Sequence, residues 1–269
     1  MSMPARTLLV ALISLTAVPA LAAPASAAEP RTPPTQAEMV AMLETVDART
    51  QSAGDYKAHA FIQQRETGKD DIVYEAVIYR RDADGRFMVL FIAPRSQAGQ
   101  GYLRIDSNLW FYTPTTGKWE RRTERERIAG TDSRRADLDA SRLAEEYTPH
   151  YLGEGKLGPH ETVRLRLEAK PGEDVPWPII EIDLDRATGN VLKRQERDLS
   201  GRLTRTAFFP RWHRIATPDG EGEVWYPQEM RFFDEVDKGN SSAVRIERVD
   251  LGDLDRNIFT KAWLESKSR

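Results

Sequence analysis

From Thr162 onward the chain alternates apolar and charged side chains, and this pattern limits its fold more than any other feature. Val163, Leu165 and Leu167 interleave with Arg164, Arg166 and Glu168; Ile180, Ile182 and Leu184 interleave with Glu181, Asp183 and Asp185. A period of two sends successive side chains to opposite faces of extended backbone, so each segment buries one face and wets the other. Similar segments predict strands over Tyr56–Glu66, Ile72–Arg81, Arg86–Ala93, Gly101–Ile105, Leu109–Thr113 and Trp119–Thr123. A second group spans Thr162–Lys170, Ile179–Asp185, Val191–Asp198, Leu203–His213, Val224–Asp234 and Ala243–Leu251. Tight-turn signals punctuate them: Asp84-Gly85, Thr116-Gly117, Thr188-Gly189-Asn190, Ser200-Gly201, Asp219-Gly220 and Lys238-Gly239-Asn240. Connections this short leave no room for the crossover that parallel strands need, so the sheet is expected to be antiparallel.

Few helices are available to cover so large a sheet. Thr35 and Glu38 form a capping box ahead of Met39, Met42, Leu43 and Val46, which recur at helical spacing. They predict a helix from Thr35 to Ser52, ended near Gly54. Asp132 to Tyr147 reads as partly helical, with Leu138, Leu143, Ala144 and Tyr147 as its apolar positions. About a dozen strands with one apolar face must curl or split to hide it. The expected fold is therefore mainly β with helices (α+β): a curled antiparallel sheet forming an unclosed half-barrel, covered by a two-helix lid. Such an arrangement leaves an apolar cavity or a filled interior, and periodicity does not separate the two. Phe87 to Ile92 is apolar on both faces and should be covered on both.

The N-terminal segment bears on compartment. Arg6 precedes an apolar run from Leu8 to Ala23, followed by Ala25-Ser26-Ala27. This is the plan of a cleaved secretory signal peptide, and the run is too short for a membrane span. The expected organisation is a signal peptide over 1–27, an extended Pro-rich leader over 28–34, and a single domain over 35–269. The chain has no cysteine, which excludes disulfides and the lipid-modified Cys of an anchored lipoprotein. The expected location is the periplasm, without an anchor. The 39 basic residues, less Arg6 in the leader, face 42 acidic ones, which argues against a nucleic-acid binder. Mean hydropathy is −0.57 even with the leader included.

Catalytic patterns are missing. His59, His150, His160 and His213 show no metal-ligand spacing, although His150 and His160 flank a predicted loop where either could meet a carboxylate. There is no G-x-S-x-G or P-loop, and Asp132, Asp137 and Asp139 lack the spacing of a calcium loop. The expectation is no enzyme, no metal and no cofactor. In Glu120 to Arg127 four arginines are nearly matched by three glutamates, which reads as a solvated strand end or as a docking surface.

Three stretches resemble the LolA/LolB-like outer membrane lipoprotein-sorting proteins. Gly99 to Thr123 (GQGYLRIDSNLWFYTPTTGKWERRT) resembles that family's Gly turn, strand, tight turn and aromatic strand ending in Tyr-x-Pro. Ile179 to Asp185, followed by TGNVLKRQERDLSGRL, resembles its paired hairpins, and VRIERVDLGDLDRNIFTKAWLE its closing strand and final I-F-T-K-x-x-L-E. One departure follows Gly130: where the family pattern has an aromatic residue, this chain has Ser133, Arg134 and Arg135 before Asp137-Leu138.

The resemblance implies an unclosed barrel that carries acylated lipoproteins or related lipids, taken from an inner-membrane transporter and passed to an outer-membrane acceptor. No nucleic-acid partner is implied, and oligomeric state is left open. The expected lipid contacts are Met39, Met42, Leu43 and Val46 from the lid, with Phe87, Phe91, Leu103, Ile105, Trp110, Tyr112, Val163, Leu165, Ile180, Ile182, Val244 and Ile246 from the sheet. The rival readings on the same fold are an envelope lipid sensor and an accessory subunit of a membrane export pump.

Overall fold

The computed structural model describes residues 32–50, 55–105, 108–122, 127–128, 131, 137 and 141–268. The expected signal peptide, most of the leader and most of the Asp132–Tyr147 segment lie outside these. Helix α1 (Gln36–Thr50) opens on the capping box: the Thr35 amide donates to Glu38 Oε2 at 2.7 Å and the Glu38 amide to Thr35 Oγ1 at 3.3 Å.

Strands β1 (Asp55–Arg65), β2 (Ile72–Arg81), β3 (Arg86–Ala93), β4 (Gly101–Ile105), β5 (Asn108–Thr113) and β6 (Lys118–Arg122) follow. A short helical turn α2 (Leu143–Glu146) leads into β7 (Tyr147–Leu157), β8 (His160–Ala169), β9 (Ile179–Asp185), β10 (Val191–Arg197), β11 (Leu203–Ala216), β12 (Glu223–Asp234) and β13 (Ser241–Asp250). Helix α3 (Lys261–Lys267) comes last, capped by Thr260 Oγ1, which accepts from the Trp263 amide.

All thirteen strands form one antiparallel sheet in the order β6-β5-β4-β3-β2-β1-β13-β12-β11-β10-β9-β8-β7. Strands β6 and β7 are its two edges, so the sheet does not close. In its middle β1 pairs with β13, Ala60 opposite Ile246 and Ile62 opposite Val244. The connection from β6 to β7 joins the opposite edges, and its described residues are tied to the sheet. Arg127 forms an ion pair with Asp234 at the end of β12, and Ile128 is buried among the side chains of the inner face.

The inner face carries two apolar clusters. One joins β1–β5 to β11–β13 through residues such as Tyr56, Ile78, Phe87, Val89, Tyr226, Val244 and Ile246. The other packs Met39, Leu43 and Val46 of α1 onto Val163, Leu165, Leu167, Ile180, Ile182 and Leu184. A third cluster lies on the outer face, where Met88, Leu103, Tyr79 and Tyr112 meet Phe259 and, on α3, Leu264. This is the second cover that the Phe87–Ile92 run called for, except at Ile92, which stays exposed. The approach is close: a Cβ on Gly101 would lie 2.6 Å from the Val89 carbonyl oxygen and 2.7 Å from Leu264 Cδ1.

Three expectations change. The loop around Tyr151–Leu157 is strand β7; it is an edge strand whose burial beyond Pro149 is slight, so it lacks the apolar alternation of a central strand, and its proline is tolerated there. The second lid helix amounts, among the described residues, to the four residues of α2. The helical complement also includes α3, which sits on the face opposite the lid.

Candidate lipid-binding cavity

The inner face leaves a cavity of about 120 Å³ between the two halves of the sheet. Its wall is largely apolar: Tyr56 and Ile62 of β1, Ile78 of β2, Phe87 and Val89 of β3, Trp212 of β11, Val224, Tyr226 and Met230 of β12, and Val244 and Ile246 of β13. The alternating pattern of these strands puts each of these positions on one face. Burial pushes the pKa of the Tyr56 hydroxyl well above the ordinary tyrosine value, so that group stays neutral.

Charge enters at three points. Arg80 Nε and Nη2 donate to Asp82 Oδ1 at 3.1 and 2.9 Å. Arg49, in the last turn of α1, donates through Nη1 to Asn190 Oδ1 at 2.6 Å and lies over the Trp225 ring, 5.4 Å from its centroid. Asp137 belongs to a buried ion cluster. Arg205, only 2% exposed, donates to it and, at 2.8 Å, to Glu196 Oε1; Arg194 pairs with both carboxylates. Burial alone would lower the Arg205 pKa, but attraction to Asp137 and Glu196 outweighs it and holds the guanidinium firmly charged. Trp177 and Phe232 flank Arg205, with centroids 5.7 and 4.3 Å away. The cluster fastens Asp137, from the edge-to-edge connection, onto β10 and β11.

Helix α1 is secured to α2 by Asp47. Its carboxylate accepts from Ser141 Oγ at 2.5 Å and from the amides of Leu143 and Ala144 at 2.9 and 2.8 Å. A wider groove of about 890 Å³ lies along Ala169–Pro178 and Arg197–Ser200. Glu173, Asp174, Asp198, Asp234 and Asp237 line it together with Arg127 and Arg197, alongside the apolar side chains of Val175, Trp177, Leu199 and Val236.

Of the residues expected to face lipid, Phe87, Val244 and Ile246 line the cavity. Phe91 lies in the same inner-face cluster. Met39, Leu43, Val46, Val163, Leu165, Ile180 and Ile182 pack together beneath α1, with Met42 against them. Leu103, Ile105, Trp110 and Tyr112 are placed on the outer face instead. Register explains this correction: Leu103 pairs with Met88 and with Trp110, paired residues share a face, and Met88 points to the α3 side. Lys261 at the start of α3 lies 3.7 Å from the Trp110 centroid.

The sequence reading missed Arg49, Tyr56, Ile62, Ile78, Arg80 and Met230. On β1 the alternation runs through Ala58 and Ala60, which weakens the signal. Trp212, Trp225 and Tyr226 stood out as sheet aromatics without a direction. Among the described residues no group of three or more His, Asp or Glu is placed to hold a metal ion. Three of the four histidines each meet one carboxylate: His59 Nε2 lies 2.6 Å from Glu75, His150 Nε2 3.8 Å from Glu168 and His160 Nδ1 3.3 Å from Asp185, while the His213 ring lies edge-on to Tyr226. No described helix is long and apolar enough to cross a membrane.

Comparison with known proteins places this geometry. A domain described as outer membrane lipoprotein-sorting, from Vibrio parahaemolyticus, superposes with a TM-score of 0.72 at 18% identity, covering 84% of this chain and 97% of that one. A DUF1329 family protein from Desulfovibrio piger gives 0.73 at 18% identity, covering 85% and 98%. A LolA superfamily protein from Nitrosomonas europaea gives 0.67 at 19% identity, covering 83% and 97%. No curated protein matches in sequence. A family model described as that of an uncharacterized protein matches residues 83–266, more than half of the chain. The chain thus has the LolA-like fold of the outer membrane lipoprotein-sorting proteins, and it belongs to the family whose model spans residues 83–266.

Proposed function

We propose that this chain is a periplasmic carrier that shelters the acyl chains of lipoproteins or other lipids on their way to the outer membrane. The observation that carries this reading is the apolar cavity on the inner face of an unclosed sheet. A carrier answers a physical need: each methylene moved out of water gains about 0.8 kcal/mol, so a long chain does not cross an aqueous compartment unaided. The solved proteins that share the fold include a lipoprotein-sorting domain and a LolA superfamily member. A carrier performs no catalytic step and uses no cofactor. An inner-membrane transporter would donate the cargo, and an outer-membrane acceptor would receive it.

The cavity volume adds a condition. A dry cavity of roughly 150 Å³ holds one benzene, so about 120 Å³ takes only the tip of an acyl chain. Loading a whole chain requires the inner face to widen. The elements beside it, α1 and the described part of the β6–β7 connection, are fastened by the polar contacts of Asp47 and Asp137 and, for α1, by the packing of Met39, Leu43 and Val46. They are the parts that can yield while the sheet stays paired.

The test is native mass spectrometry of the protein purified from the periplasm of its own cells, followed by lipid extraction. A bound acylated species, lost when Ile246 is changed to Asp in a variant that still folds, supports the carrier. Protein that is empty and also takes up no fluorescent fatty-acid probe refutes it.

A further inference from the structure

Three charged groups line the cavity and a fourth, Arg214, lies beside them over Trp225; three of the four are satisfied by opposite charge. Arg80 is held by Asp82, Asp137 by Arg194 and Arg205, and Arg214, which also lies over Trp225 at 5.6 Å, by Glu223 at 3.0 Å. Arg49 is the exception. Its one hydrogen-bond partner is the neutral amide of Asn190, and no carboxylate meets it among the described residues. Burial depresses its pKa and, among the described residues, no neighbouring anion offsets the effect, yet an arginine stays charged in any protein.

The side chain is also held in place. Asn190 is 4% exposed, the β9–β10 turn closes on the guanidinium so that a Cβ on Gly189 would lie 3.6 Å from Nη1, and Trp225 lies across its face. A half-buried cation, aimed and desolvated beside an apolar cavity, has no counter-ion among the described residues. Guanidinium forks match carboxylate and phosphate oxygens in two-point geometry.

We propose that Arg49 is the anion-binding residue of this cavity, so that the ligand is an acyl chain bearing a carboxylate or phosphate head, seated on Arg49 with its chain along Tyr226, Val244 and Ile246. This rests on the carrier reading and narrows it to anionic amphiphiles. The inner wall supplies the affinity for the chain, and Arg49 selects the head and fixes which end enters.

Isothermal titration of the purified protein with decanoate, decyl phosphate, decanol and acetate tests it. The expected result is that at least one of the two ten-carbon anions binds about tenfold more tightly than decanol, the gain of one charge-assisted contact. The tighter of the two anions identifies the head group as carboxylate or phosphate. Arg49→Gln should bring both anions down to the decanol level and leave decanol unchanged, while Arg49→Lys keeps part of the preference. Decanol binding as tightly as both anions overturns the role of Arg49 and leaves the carrier standing, whereas no binding of any ten-carbon probe overturns the carrier itself. Acetate binding as tightly as decanoate overturns the proposal, because the chain then contributes nothing. Loss of decanol binding in Arg49→Gln, at an unchanged thermal midpoint, overturns it too, by making Arg49 a strut for α1.

Discussion

Replacing Arg205 with leucine tests how the cavity cover is fastened. Arg205 is 2% exposed and donates to both Asp137 and Glu196, while Arg194 pairs with the same two carboxylates. The wild-type cluster is neutral, two guanidiniums against two carboxylates. Leucine leaves two buried carboxylates facing one arginine, and breaking a buried ion pair from one side costs about 3–5 kcal/mol. For a domain of this size each kcal/mol moves the thermal midpoint by about 2–4 °C, so Arg205→Leu should lower it by roughly 6–20 °C. The double variant Arg205→Leu/Glu196→Leu restores neutrality, because Asp137 keeps Arg194. It should recover at least half of the loss, the apolar pair filling the space beside Trp177 and Phe232. Circular dichroism against temperature and urea reads both. A single variant within about 1 kcal/mol of wild type, or a double variant no more stable than the single, refutes the reasoning.

Other expectations follow from separate parts of the molecule. Leu264→Ala on α3, fully buried on the outer face, should cost about 2–5 kcal/mol in urea unfolding and leave the affinity for an acyl probe unchanged. Asp47→Ala removes the acceptor for Ser141, Leu143 and Ala144; stopped-flow mixing should show faster uptake and release of a fluorescent fatty acid, at a stability cost of about 1–2 kcal/mol. Hydrogen bonds from Arg81 hold the Asp55 carboxyl below its ordinary range. A lowered folded-state pKa adds stability that is complete above the unfolded value near 4 and is lost as pH falls through the folded value. Asp55→Asn should therefore lose less stability than wild type between pH 7 and pH 3, and parallel losses would exclude this role.

The sheet was legible in the sequence because its strands carry their own addresses. Val163–Leu167 and Ile180–Leu184 alternate cleanly, and every hairpin turn but the one between β4 and β5 has a glycine, so those strands and their antiparallel pairing followed directly. Strand β7 did not, because beyond Pro149 its less exposed positions are only half-buried and two of them are glycine, so its alternation is faint in the sequence. Helix α3 escaped because seven residues are too few for a helical period to stand out. The face of β4 and β5 was misread for a related reason: with α3 behind them both faces are apolar, so composition gives no direction and only the pairing of Leu103 with Met88 decides it. Arg49 lay beyond any pattern, since its role depends on Trp225 and Asn190, which come from far along the chain.

The pairing of β1 with β13 has a consequence for how the chain reaches this state. Every other neighbouring pair in the sheet is also consecutive in sequence, so β1–β6 and β7–β13 are two local meanders that can form independently. The seam between them brings Lys57–Arg65 against Asp250–Ser241, a closure across most of the chain. Long closures add entropy cost slowly with length, but they hold back the rate until both partners exist. A reordered chain running from β7 to β13 and then from β1 to β6 would contain only nearest-neighbour pairings. It should reach the same sheet faster, with the carboxyl-terminal strand already templating the amino-terminal one.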